Sequence, residues 1–281
     1  MPERSVVGLT TARRHTLYRL FKYTVYALLA WNVWLFFLED LAASAETFVD
    51  GVTVANVVEA YSATFDTFAW VVLLLLFELE TAAIRPERLT RRVHRLLSVT
   101  RAVCYFFIVY SFYGYLQKFG LVTDLTIMAG VDICELAGSG MSWLHSLDRY
   151  FPITPAVCEA YGGETLYRIS GTDIVGTAAQ MELARSLALT DVVNAGAWLI
   201  VVATLELEVL LQLRGRLSDR LLGVNSAVKA VLYAVLLGCA VYWGVDGEFL
   251  HFWDAFLWLV AFVFIELNIF NWQRETRSER G

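Results

Sequence analysis

Four histidines in 281 residues, at positions 15, 94, 145 and 251, leave little from which to build a metal centre or a general base, and no pair of them has ligand or triad spacing. The four cysteines form no zinc pattern with those histidines. There is no phosphate-binding glycine loop, no serine nucleophile elbow and no histidine pair suited to haem. These absences argue against an enzyme and predict neither cofactor nor metal. Charged residues are also scarce, 18% of the chain against 58% hydrophobic, and mean hydropathy is +0.55. A soluble domain would alternate polar and apolar residues where this chain has long apolar runs, so the composition is that of a multi-pass membrane protein.

Runs long enough to cross about 30 Å of hydrocarbon number six, near 23–38, 67–84, 102–120, 192–213, 227–245 and 250–272. Lys and Arg near segment ends are retained on the cytoplasmic side. With the N-terminus inside, 18 of the 22 bases fall on that side, and only Lys118, Arg149, Arg168 and Arg185 fall outside. Both termini are therefore expected in the cytoplasm, most simply at a bacterial inner membrane, with the first segment a retained signal anchor. The arginine-rich loop is read as fixing topology, so no nucleic-acid partner is expected.

A frame recurs three times. Asp66, Trp70, Glu78, Leu79 and Glu80 are matched by Asn194, Trp198, Glu206, Leu207 and Glu208, and by Asp254, Trp258, Glu266, Leu267 and Asn268. Upstream of each copy an apolar segment opens with a base and has a Tyr four residues on: Lys22 with Tyr26, Arg101 with Tyr105, Lys229 with Tyr233. The unit is a helical hairpin present in triplicate. The expected fold is all-α: six transmembrane helices as three tandem hairpin repeats with pseudo-threefold symmetry. A basic cytoplasmic tail (1–22) precedes hairpin one (23–84), and an Arg-rich loop (85–101) leads to hairpin two (102–213). That hairpin contains an external helical cap (121–190), with amphipathic pieces near 131–148 and 176–190. Hairpin three (214–272) and a cytoplasmic tail (273–281) complete the chain.

Asp66, Asn194 and Asp254 read as helix N-caps, and the Trp one turn deeper as interfacial anchors. Cys134 and Cys158 both fall in the cap, where a disulfide is expected in an oxidising space. Intramembrane glutamates carry the interpretable chemistry, because an ionised carboxylate at mid-bilayer costs at least about 2.5 kcal/mol and so faces protein, water or a partner charge. Glu78, Glu206 and Glu266 are expected to form an ion or proton site. Glu80, Glu208 and Asn268 lie about 160° round the helix from them, and Lys22, Tyr26, Arg101, Tyr105, Lys229 and Tyr233 stand in support. Two functions follow: handling of cations or protons, as channel or transporter, or a non-catalytic scaffold or accessory subunit whose cap binds an external partner. The bilayer is one expected partner, and a homo-oligomer another.

Overall fold

A computed structural model describes residues 3–80, 90–213 and 219–262. The helices are α1 (Glu3–Thr47), α2 (Val57–Ala60), α3 (Ser62–Glu78), α4 (Arg91–Thr123), α5 (Pro155–Tyr161), α6 (Ala178–Leu213), α7 (Asp219–Asp246) and α8 (Phe249–Phe262). Four of them contain stretches long and apolar enough to cross a membrane: Thr16–Thr47, Arg91–Thr123, Ala178–Glu208 and Gly223–Asp246. Their outward faces are apolar; Phe106 is 63% exposed and Val231 65%. Outward-facing apolar side chains on long helices suit lipid as the solvent, and the chain is an integral membrane protein.

The chain divides into two compact units, residues 33–239 and residues 1–32 with 240–281. In the larger, α3 packs on α4 and α4 on α6. Gly114 of α4 permits the closest approach. A Cβ there would stand 3.0 Å from Ser62 Cβ and 3.3 Å from the Val58 carbonyl oxygen, so the missing side chain is what lets the backbones meet. In the smaller unit, α7 turns into α8 at Gly247, whose φ of +84° is one that other residues rarely adopt, and Asn32 Nδ2 donates to Asp254 Oδ1 at 2.8 Å.

The region expected to be a helical cap is a five-stranded sheet. Its strands are β1 (Leu125–Met128), β2 (Ser142–Ser146), β3 (Arg149–Pro152), β4 (Leu166–Ile169) and β5 (Ile174–Thr177), in the order β1-β4-β5-β2-β3. All neighbours are antiparallel except β2 and β5, which run parallel with Ser142 beside Ile174. Within the supposed helix 131–148, only Ile133–Leu136 forms a short 3-10 turn. Gly130, Gly138 and Gly140 all take positive φ there, which ends helical continuation, and the next residues pair as β2. The second supposed cap helix is real from Ala178, but it is the opening of α6 and continuous with a spanning helix. Ile133, Leu136, Trp143, Ile153, Leu166 and Val175 form the domain's apolar core, with the Trp143 and Tyr161 rings 4.6 Å apart.

Candidate functional site

The capping reading of the repeated frame is overturned. Helix α3 begins at Ser62 with Tyr61 at its N-cap, so Asp66 lies inside the helix, as do Asn194 in α6 and Asp254 in α8. The four-residue spacing serves another purpose: the Trp70 indole donates to Asp66 Oδ1 at 3.1 Å, one turn apart, and Trp258 bonds Asp254 in the same way. In the middle copy Asn194 Oδ1 is buried without a hydrogen-bond partner. The three Trp are 6–8% exposed, and the rings of Trp70 and Trp198 lie 6.1 Å apart, so they pack within the protein rather than at an interface with lipid.

At the other ends of α3 and α6, bases meet the second acid of the first two frames. Arg101 of α4 binds Glu80 at 2.7 Å, and Lys229 of α7 binds Glu208 at 3.1 Å, where Asn225 Nδ2 also donates at 2.7 Å. The Tyr105 hydroxyl donates to Glu206 Oε1 at 2.8 Å. Glu78 is 7% exposed on α3, Lys22 and Tyr26 are each 6% exposed on α1, and Tyr233 is half-buried on α7. Glu266 and Asn268, with residues 85–89 of the expected Arg-rich loop, lie outside the described residues, and the remainder of that loop, from Arg91, is the opening of helix α4. Among the described residues no three His, Cys, Asp or Glu converge closely enough to hold a metal ion.

Cys134 and Cys158 are thiols and neighbours. Asp132 organises them: Oδ1 accepts the Cys134 N–H at 2.8 Å and Oδ2 the Gly163 N–H at 3.0 Å, and these bonds hold its carboxyl below the usual carboxylate range. The hydrogen bond between the sulfurs, with Asp132 close by, pushes the Cys134 thiol up to about 12.

The most concentrated charge lies where the sheet meets the helices. Lys118, near the end of α4, reaches Asp148 Oδ1 at 2.6 Å; these side chains are 16% and 9% exposed. Asp148 stands in the turn after β2, where a bulge between Leu144 and Ser146 shifts the register and the chain reverses into β3. Asp40 of α1 and Asp191 of α6 act on the same ammonium and are 4% and 5% exposed. Thr64 of α3 donates to Asp40 Oδ2 twice, from its backbone N–H at 2.9 Å and its hydroxyl at 2.6 Å. Beside them the Tyr150 hydroxyl donates to the Leu147 carbonyl at 2.5 Å, and burial, with the Asp148 charge, pushes its phenol up. Ser142 of β2 donates to Glu46 of α1 at 2.5 Å, a second tie between sheet and helix.

Sequence reasoning missed this cluster, counting Lys118 only among the outer bases. One signal was present. The chain has only three lysines, Lys22, Lys118 and Lys229, and Lys118 follows an aromatic apolar run rather than joining the arginines of the loops. A strongly hydrated ammonium in such a run needs a partner acid.

Fold and site together define an integral membrane protein whose long apolar helices carry a small mixed sheet domain between α4 and α6. No family model, no curated protein and no solved structure matches the chain.

Proposed function

We propose that this chain handles protons or cations within the membrane, as a channel or transporter, with carboxyls inside its helices as the working groups. The observation that carries the reading is the ratio of charges around Lys118. A bridge that only ties two helices needs one acid per base, as Arg101 has Glu80. Around Lys118 three carboxyls, those of Asp40, Asp148 and Asp191, act on the one ammonium. Burying a carboxylate costs several kcal/mol per ion, and binding a proton or cation lowers that cost.

In this reading the chain crosses six times as three hairpins, α3 and α8 making the second and sixth crossings. Both termini are cytoplasmic and the sheet domain is external. Glu78, Glu206 and Glu266 then serve the inner side and the Lys118 cluster the outer. The proximity of Cys134 and Cys158 supports a disulfide in an oxidising compartment.

A second reading, a scaffold or accessory subunit whose sheet domain binds a partner, is favoured by a different observation. The ion pairs Arg101–Glu80 and Lys229–Glu208 are matched one to one, as structural ties are, and Glu46–Ser142 and Lys118–Asp148 mount the domain firmly on the helices. Proton and cation flux into proteoliposomes separates the readings. The wild-type protein is compared with the triple variant Glu78→Gln, Glu206→Gln, Glu266→Gln, with monodispersity and helicity monitored. Flux lost in a folded triple variant is the expected result. Flux retained removes the glutamates from the site, and no wild-type flux across pH and ion gradients overturns transport in favour of the scaffold.

A further inference from the structure

We propose that the first turns of α4 hold an anionic phospholipid, with Arg92 and Arg95 on its phosphate and the exposed apolar face beside them along its acyl chains. This surface is separate from the carboxyls of the reading above and does not depend on them.

Helix α4 has two faces. Leu97, Cys104, Ile108, Ser111 and Tyr115 are buried against the rest of the chain. On the other side Leu96, Val99, Val103, Phe106, Tyr113 and Leu116 are exposed, at intervals of three, four or seven residues, which keeps them on one stripe of a helix. From Leu96 to Leu116 is about 30 Å at 1.5 Å per residue, the thickness of the hydrocarbon layer. Large apolar side chains that face outward over that length suit the bilayer interior, and Leu96 marks where hydrocarbon ends on the N-terminal side of α4.

Arginines stand at that boundary. Arg91, Arg92 and Arg95 are exposed in the turn before Leu96. At about 100° per residue, Arg92 lies within about 40° of Leu96, Val99 and Val103, and Arg95 within about 40° of Val99, Phe106 and Tyr113. Both therefore head the lipid-facing stripe. Arg101 is placed differently, about 180° round the helix from Arg92, and there it binds Glu80 at 2.7 Å.

Arginine anywhere in this segment would orient the chain in the membrane. Orientation does not require that two of them head the stripe that lipid covers. A guanidinium presents a rigid fork of donors that matches phosphate oxygens, and its stem can lie along apolar surface with the charge at headgroup level. Two such groups above an acyl-chain surface fit a phosphate carried on acyl chains. A zwitterionic headgroup brings its own cation and is attracted less. Each basic residue near an anionic lipid surface strengthens binding about fivefold, so the pair strengthens it roughly 25-fold.

The test is native mass spectrometry of the full chain in detergent, titrated with phosphatidylglycerol or with phosphatidylcholine of the same acyl chains. The expected result is a tightest site that prefers phosphatidylglycerol by roughly 25-fold at low salt, less as salt rises. The preference should vanish in the double variant Arg92→Gln, Arg95→Gln and persist in Arg92→Lys, Arg95→Lys, which keeps both charges. It should also persist in Arg277→Gln, Arg280→Gln, an equal change of charge in the C-terminal segment. Circular dichroism monitors folding, and if the first Gln pair misfolds, the single variant Arg95→Gln, expected to lose about fivefold, decides. Wild-type preference in a folded Arg92→Gln, Arg95→Gln overturns the proposal, as does an equal loss in the C-terminal pair, which reduces the effect to net charge. Displacement of phosphatidylglycerol by inorganic phosphate, which indicates a bare anion site, or a dimer that excludes the lipid, which indicates that a second copy covers the stripe, overturns it too.

Discussion

Lys118→Met is the most informative single change at the junction of sheet and helices. Methionine retains the length and apolar stem of lysine, so packing is nearly conserved and the variant chiefly removes the charge. What remains is Asp148 at 9% side-chain exposure with Asp40 and Asp191 at 4% and 5%, three buried carboxyls that have lost the Lys118 ammonium. Removing one partner of a buried pair costs about 3–5 kcal/mol. At roughly 2–4 °C per kcal/mol for a chain of this size, the melting midpoint in detergent should fall by roughly 6–20 °C. Asp148→Leu alone strands the ammonium less completely, since Asp40 and Asp191 still act on it, and should cost less. The double variant should then be more stable than the sum of the two losses predicts, with a coupling of about 0.5–3 kcal/mol. Thermal unfolding of all four proteins, followed by circular dichroism, measures it. A Lys118→Met midpoint equal to wild type, or losses that simply add, would mean that Lys118 contributes only its stem and that the charge ratio on which the functional reading rests is irrelevant.

Two further outcomes follow from other parts of the structure. Gly114→Val should destabilise by about 1–3 kcal/mol, because its first added carbon would stand 3.0 Å from Ser62 Cβ and 3.3 Å from a backbone oxygen; thermal unfolding beside the pair Gly114→Ala with Ser62→Gly should show partial recovery in the pair. Glu59 of α2 has its carboxyl raised above its ordinary 4.5 by burial, so the folded state holds the proton more tightly than the unfolded state. Its effect on stability is most favourable below 4.5 and is lost as pH rises from there through the raised value; Glu59→Gln should flatten stability against pH over that window and stabilise at neutral pH, and an unchanged slope in a pH series of denaturation curves would contradict this.

The spanning helices were legible because hydrocarbon imposes a length and a composition on anything that crosses it, and α1, α4, α6 and α7 satisfy both. The sheet was not. Its strands are four or five residues long, and β5, Ile174–Thr177, is buried at every position, so the alternation that identifies a strand never develops. The Asp–Trp frame was visible as a spacing, but the same residues fit a cap before a helix or a bonded pair one turn apart within it. Only the helix start at Ser62 decides between them. The Lys118 cluster is the extreme case. It draws on α1, α3, α4, α6 and the turn after β2, so no local window contains even two of its charged members in a recognisable pattern.

The two ends of the helices solve the problem of intramembrane charge differently. Glu80 and Glu208 lie towards the C-terminal ends of their helices, where the helix dipole disfavours an anion, and each is answered by a base from the next helix, Arg101 or Lys229. These pairs are partly exposed, 36% and 27% for the first and 17% and 19% for the second, so each contributes about 0–1 kcal/mol and costs little to maintain. At the sheet end the bridge is more deeply buried and the acids outnumber the base. A protein that required only rigidity had the one-to-one solution already in use at its other end. At the sheet end Asp40 and Asp191 act, with Asp148, on the one Lys118 ammonium, so that end is built on a different ratio of acid to base.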